Sequence, residues 1–104
     1  MKKILDFKKG GGLIPVIIQS NKTKNILMLG YMNNEAFDMS IKTGCVYFWS
    51  RSRNQLWLKG SKSGNKIKIV KIDIDCDCDT LLIFVEYSGN GMCHLEKESC
   101  FDSY

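Results

Sequence analysis

The sequence predicts a small, β-rich α+β domain with one main helix, and three observations support this fold class. Apolar residues occur mostly in short runs or alternate with polar residues, which is the pattern of strands. Only one segment carries both a helix start signal and a helix stop signal. The chain has 104 residues, of which 44% are hydrophobic, so it can bury one modest core. We therefore expect residues 1–104 to form a single domain with a small mixed or antiparallel sheet.

The first 60 residues are predicted to contain four strands and the helix. Apolar and β-branched runs place strands at about residues 13–19, 25–31, 45–49 and 55–59. Asn33 or Asn34 can cap the helix, and Gly44 would end it. Its apolar positions are Ala36, Phe37, Met39 and Ile41.

Two further strands are predicted after residue 66. Isoleucines alternate with charged residues at positions 67, 69, 72 and 74, but the phase slips by one residue at Val70. This slip predicts a β-bulge or a second buried face. The nearly continuous apolar run from Thr80 to Tyr87 predicts a central strand, followed by a Gly-rich loop that leads to Cys93.

The charge pattern favours an anionic ligand beside a metal. The net charge is +4, but the segment from Arg51 to Lys71 contains only basic charges and is followed by aspartates at positions 73, 75, 77 and 79. The alternating lysines of this segment also fit the solvated face of a strand. The longest apolar stretch, residues 13–18, is too short to cross a bilayer, so we expect a cytoplasmic protein without membrane contact. An odd number of cysteines, five, fits metal ligation in a reducing compartment.

Carboxylates and thiols are concentrated in Asp75-Cys76-Asp77-Cys78-Asp79, Cys93-His94 and Cys100. Carboxylates suit magnesium or calcium and thiolates suit zinc, so the simplest interpretation is two metal sites in an enzyme. In an extended strand the outer two aspartates would be roughly 13 Å apart, so one shared ion requires a bend near Asp77. Cys76 would need other thiolate partners, for which Cys93 and Cys100 are candidates. Three sulfur ligands leave a fourth zinc position open, as in catalytic sites.

Several motifs in a fixed order resemble the phosphoribosyl-AMP cyclohydrolase family, which hydrolyses the N1–C6 bond of the adenine ring in histidine biosynthesis. The resemblance covers about residues 13–101. The motifs are Leu27-Met28-Leu29-Gly30-Tyr31-Met32-Asn33, Tyr47-Phe48-Trp49-Ser50-Arg51-Ser52-Arg53, Leu56-Trp57-Leu58-Lys59-Gly60 with Ser63-Gly64, Asp75-Cys76-Asp77 with Asp79, and Cys93-His94 with Ser99-Cys100-Phe101.

The resemblance implies an intertwined homodimer with two metals and a nucleotide substrate. It implies magnesium at Asp75, Asp77 and Asp79, zinc at Cys76 of one subunit with Cys93 and Cys100 of the other, and a catalytic role for His94. Substrate contacts are expected at Trp49, Ser50, Arg51, Ser52, Arg53, Lys59, Gly60, Ser63 and Gly64. Many relatives carry a fused pyrophosphohydrolase, for which we expect a separate protein here.

The chain departs from the family at Leu58, Lys62, Leu95 and Glu96, which affects substrate affinity more than metal binding. Two alternative functions stay open at this point. In one, a structural zinc site is closed by four thiolates, those of Cys76, Cys78, Cys93 and Cys100. Arg51, Arg53, Lys59 and Trp57 can also serve as a platform for single-stranded nucleic acid.

Overall fold

In the computed structural model the described residues are 4–60, 67–87 and 98–104. They form a short 3-10 helix (Lys8–Gly10), one α-helix and six strands. The α-helix is α1 (Asn34–Thr43), and the strands are β1 (Ile14–Ser20), β2 (Ile26–Met32), β3 (Tyr47–Ser50), β4 (Gln55–Leu58), β5 (Ile67–Ile74) and β6 (Leu81–Tyr87). The predicted strands all occur, with ends shifted by one or two residues.

Four of these strands form one mixed sheet in the order β2-β1-β6-β5. β1 pairs antiparallel with β2 and parallel with β6, and β5 pairs antiparallel with β6. β3 and β4 form a separate antiparallel pair. The predicted fold class, a β-rich α+β domain with a small mixed sheet and one main helix, is therefore confirmed.

The core lies between one face of the sheet and the layer formed by α1 and β3. Alternate residues of β1, from Ile14 to Ser20, are fully or almost fully buried. Ala36 of α1 and Phe48 of β3 belong to the same buried cluster. The opposite face of the sheet is less covered, and Leu29 at its edge is 45% exposed.

Helix α1 begins and ends where the sequence predicts. The Oδ1 atom of Asn33 accepts a hydrogen bond from the Ala36 N–H at 2.8 Å, and Gly44 ends the helix with a left-handed φ of 75°. Ile41, predicted among the apolar positions, is 56% exposed, whereas Ser40 is buried. Ser40 Oγ donates to the Ala36 carbonyl at 2.8 Å and accepts from the Tyr47 N–H at 2.9 Å, which joins α1 to β3.

The phase slip in β5 is a bulge at Val70. The register with β6 shifts between Ile69 and Lys71, and Val70 is left out of the pairing. The extra residue lets isoleucines on both sides of the slip face the core, because side chains in a strand otherwise alternate strictly. The bulge therefore determines to which face of the sheet each side chain of β5 points as the strand approaches Asp75.

Candidate metal and substrate site

The acidic segment after β5 is a tight turn. The Asp75 N–H donates to the Thr80 carbonyl and the Cys78 N–H donates to the Asp75 carbonyl, both at 3.1 Å. Asp75 Oδ1 accepts from the backbone N–H groups of Asp79 at 3.0 Å and Thr80 at 3.2 Å. Cys78 has a left-handed φ of 62°. The backbone therefore bends near Asp77, as a single ion shared by the three aspartates requires.

The turn brings the three carboxylates together. One oxygen from each of Asp75, Asp77 and Asp79 lies within 4.8 Å of the others. Partial burial raises the pKa of Asp75, and the side chains of Asp77 and Asp79 act in the same direction, whereas the hydrogen bond from the Asp79 backbone N–H opposes this shift. Such a cluster can hold a metal ion, because closely spaced carboxylate oxygens match the ligand preference of hard divalent cations.

A cation from elsewhere in the chain already binds this cluster. Lys9 Nζ lies 3.1 Å from Asp77 Oδ2 and 2.9 Å from Asp79 Oδ2. Hydrogen bonds from Lys9 hold the pKa values of both carboxyl groups below their usual range. The ammonium group shows that the turn accommodates a positive charge between two of its carboxylates. No pattern in the sequence points to Lys9, because it lies 68 positions before Asp77.

Lys9→Met is expected to tighten Mg²⁺ binding severalfold, because no ammonium group then has to be displaced from Asp77 and Asp79. Isothermal titration calorimetry of the metal-free protein measures this. Lys8→Met is the matched control, since Lys8 forms no ion pair within the described part of the chain. Equal Mg²⁺ affinities in the two variants would contradict the expectation.

The candidate zinc ligands lie at opposite ends of the sheet. Cys76 is exposed in the acidic turn between β5 and β6. This turn lies at the end of the sheet where β1 begins. Cys100 is also exposed, and its N–H donates to the Leu27 carbonyl near the far end of β1 at 2.7 Å. Strand spacings place these positions about 20 Å apart. The thiols of Cys76 and Cys100 in one chain therefore cannot bind the same ion. Cys93 and His94 lie outside the described residues.

A surface cleft of about 580 Å³ lies between β2 and the β3–β4 pair. Its lining includes four residues predicted to bind substrate: Trp49, Ser50, Arg51 and Ser52. The Arg51 guanidinium lies over the Tyr31 ring, 4.0 Å from its centroid. Tyr31 belongs to one of the family-like motifs, but it was not predicted as a site residue.

The remaining predicted substrate contacts are more scattered. Arg53 lines a smaller cavity of about 290 Å³ together with Ser50 and Trp57. Lys59 Nζ lies 5.2 Å from the Trp57 ring centroid, and Gly60 has a φ of 87°. Ser63 and Gly64 are outside the described residues, as are Lys62, Leu95 and Glu96.

The cleft depends on close packing between β2 and β3. A Cβ atom added at Gly30 would lie 2.6 Å from the Phe48 ring, well inside van der Waals contact. Phe48 in turn contacts Trp57, with ring centroids 5.7 Å apart. Glycine at this position therefore lets the aromatic floor of the cleft lie directly against the sheet.

None of the helices in the described residues is long and apolar enough to span a membrane. The acidic cluster could hold a metal ion, and the cleft with its basic and aromatic lining is of the kind in which enzymes bind small molecules, so the fold and the site together indicate an enzyme. The sequence model of the phosphoribosyl-AMP cyclohydrolase family matches residues 28–102 of this chain. The chain belongs to the phosphoribosyl-AMP cyclohydrolase family, and the predicted enzyme class is confirmed.

Curated relatives agree with this assignment. A phosphoribosyl-AMP cyclohydrolase from Solibacter usitatus is 50% identical over 97 residues, which cover 93% of this chain and 77% of the relative. One from Cenarchaeum symbiosum is 49% identical over 102 residues, covering 96% and 94%. A histidine biosynthesis bifunctional protein from Bacteroides thetaiotaomicron is 50% identical over 97 residues, which are 93% of this chain but 47% of the relative. Neither alternative function, structural zinc module or nucleic-acid platform, gains support from these matches.

Proposed function

We propose that this chain catalyses hydrolytic opening of the adenine ring of 1-(5-phosphoribosyl)-AMP, a step of histidine biosynthesis. Water adds at C6 and the N1–C6 bond breaks, which gives the phosphoribosyl-formimino-AICAR-phosphate product. The observation that carries this proposal is the family match over residues 28–102, since this span includes both the cleft and the acidic turn.

The cleft is assigned to the nucleotide. Trp49 and Trp57 offer aromatic surface for the purine, and Trp57 is 39% exposed, so its ring remains accessible. Arg51, which lies over Tyr31, can present two parallel N–H donors to a phosphate group. Ser50 and Ser52 add hydroxyl donors at the same wall of the cleft.

The second phosphate is assigned to the adjacent basic residues. Arg53 lines the neighbouring cavity, and Lys59 extends from the end of β4. Gly60, with Ser63 and Gly64, would let backbone N–H groups approach a phosphate closely. Each charge-assisted contact contributes roughly 1.5–3 kcal/mol to binding.

Two metal sites are proposed from the donor chemistry of the chain. Asp75, Asp77 and Asp79 would hold Mg²⁺, for which their clustered oxygens and the Lys9 ammonium bound between them are the support. Cys76, Cys93 and Cys100 would hold Zn²⁺. When bound, zinc supplies a Lewis acid that lowers the pKa of a water molecule towards neutrality. His94 is assigned to proton transfer, because the pKa of a histidine lies near physiological pH.

The zinc site requires a homodimer. About 20 Å separates the positions of Cys76 and Cys100 in one chain, so the three sulfur ligands must come from two copies. The less covered face of the sheet supports this pairing, because exposed Leu29 and half-buried Ile17 and Leu82 form an apolar row across three neighbouring strands. A reducing, cytoplasmic location would keep these thiols available to the metal.

Metal analysis coupled to a ring-opening assay tests the proposed function. Purified protein is expected to contain zinc and to convert phosphoribosyl-AMP, and Cys93→Ser or Cys100→Ser is expected to abolish turnover while the dimer remains folded. Cys78→Ser is the matched control: it should spare a site built from Cys76, Cys93 and Cys100 but destroy a closed four-thiolate site. Full activity in Cys93→Ser or Cys100→Ser would contradict the proposal.

A further inference from the structure

Residues 98–100 run along the free edge of β2. A side-chain oxygen of Glu98 accepts from Asn25 Nδ2 at 2.5 Å, Ser99 Oγ donates to the Ile26 carbonyl at 2.7 Å, and the Cys100 N–H donates to the Leu27 carbonyl at 2.7 Å. Residues 98, 99 and 100 therefore contact residues 25, 26 and 27 in turn, which are the residue before β2 and the first two residues of this strand. The segment covers backbone groups that an edge strand otherwise exposes.

Glu98 differs from its two neighbours because it also contacts a second strand. Its Oε2 atom accepts from the Tyr87 hydroxyl, at the end of β6, at 2.6 Å. The same oxygen lies 3.5 Å from Thr23 Oγ1 in the turn between β1 and β2. Since β1 lies between β2 and β6 in the sheet, the Glu98 carboxylate bridges the end of β1.

The bridge is electrostatically strong for a partly exposed site. A carboxylate that accepts from a phenol at 2.6 Å makes a charge-assisted hydrogen bond. The Tyr87 bond, together with the Asn25 bond, lowers the pKa of Glu98. Partial burial and the bond to Glu98 raise the pKa of Tyr87 to about 12. The Tyr87 hydroxyl and the Asn25 amide therefore hold the Glu98 carboxylate from two different parts of the sheet.

We propose that Glu98 is a positioning residue for the zinc ligand Cys100, and that it acts by clamping the segment 98–100 to both Asn25 and Tyr87. The proposal rests on the proposed function, because it takes Cys100 to be a metal ligand. Ser99 and the Cys100 N–H fix the segment along the β2 edge alone. Glu98 adds the lateral tie to β6, so the Cys100 thiol is presented at one place relative to the whole sheet.

Two measurements test whether Glu98 holds the segment 98–100 in place. Competition with a chelator measures the zinc affinity, and amide hydrogen exchange of the metal-free dimer measures how firmly the segment is held. Glu98→Ala is expected to speed exchange of the Cys100 amide at least about tenfold and to weaken zinc binding about tenfold, as loss of groups that orient metal ligands typically does. Tyr87→Phe removes one donor and keeps the ring, so smaller changes in the same direction are expected. Glu98→Gln retains an acceptor for Tyr87 and should restore most of the affinity. Glu86→Ala, an exposed carboxylate on β6, is the matched control.

Two results would overturn the clamp. Unchanged Cys100 exchange in Glu98→Ala would show that the tie does not hold the segment. Faster exchange with wild-type zinc affinity would show that the tie does not position the ligand. Cys100→Ser separates the two levels: if it binds zinc as tightly as wild type, the proposed zinc site itself is wrong and the positioning role fails with it. Weak binding in Cys100→Ser but wild-type binding in Glu98→Ala rejects the positioning role alone.

Discussion

Equal amounts of two inactive variants, Cys76→Ser and Cys100→Ser, are expected to regain activity after they are unfolded together and refolded as a mixture. Each variant alone should have only background turnover, because every zinc site of the proposed homodimer would lack one sulfur ligand. In a mixed dimer one site carries both substitutions, and the other combines Cys76 from one copy with Cys100 from its partner. Random pairing should restore about one quarter of wild-type activity.

The refolding control separates complementation from simple recovery. Each variant refolded by itself must stay inactive, and a mixture of Cys76→Ser with an inactive chain that also lacks Cys76 must stay inactive as well. Native mass spectrometry counts the mixed dimers when one of the two variants is labelled with nitrogen-15, because both substitutions change the mass of the chain equally. If mixed dimers form but activity stays at background, the zinc ligands do not come from two copies.

Local features of the fold were predictable because they depend on neighbours in sequence. The cap at Asn33, the stop at Gly44 and the bulge at Val70 each follow from the residue types within one or two turns or pleats. The bend at Asp77 followed from a distance argument that needed only strand spacing. The exposure of Ile41 could not be predicted in this way, since it depends on which face of α1 lies against β2 and β3.

Features of the site that were not predicted depend on contacts between distant parts of the chain. The parallel pairing of β1 with β6 brings the beginnings of both strands to the same end of the sheet. The acidic turn precedes β6 and Lys9 precedes β1, so the pairing makes their ion pairs possible. The Tyr31–Arg51 contact likewise requires β2 and β3 to lie side by side. No pattern within either segment carries this information.

Arg51→Ala is expected to raise the KM for phosphoribosyl-AMP by about 10- to 100-fold, with a smaller effect on kcat. Its guanidinium group lies over Tyr31 at the wall of the cleft, so it is held ready for a phosphate group before substrate arrives. Loss of one charge-assisted contact of roughly 1.5–3 kcal/mol gives a change of this size. Steady-state kinetics at saturating Mg²⁺ measure both constants.

Three further variants distinguish recognition by Arg51 from general electrostatics. Arg51→Lys keeps the charge but loses the planar pair of donors and the stacked geometry, so its KM should lie between those of wild type and Arg51→Ala. Tyr31→Phe keeps the aromatic face under the guanidinium group and should resemble wild type. Lys42→Ala removes a charge from the exposed end of α1 and should leave KM unchanged. Wild-type KM in Arg51→Ala, or an equal rise in Lys42→Ala, would remove Arg51 from the substrate site.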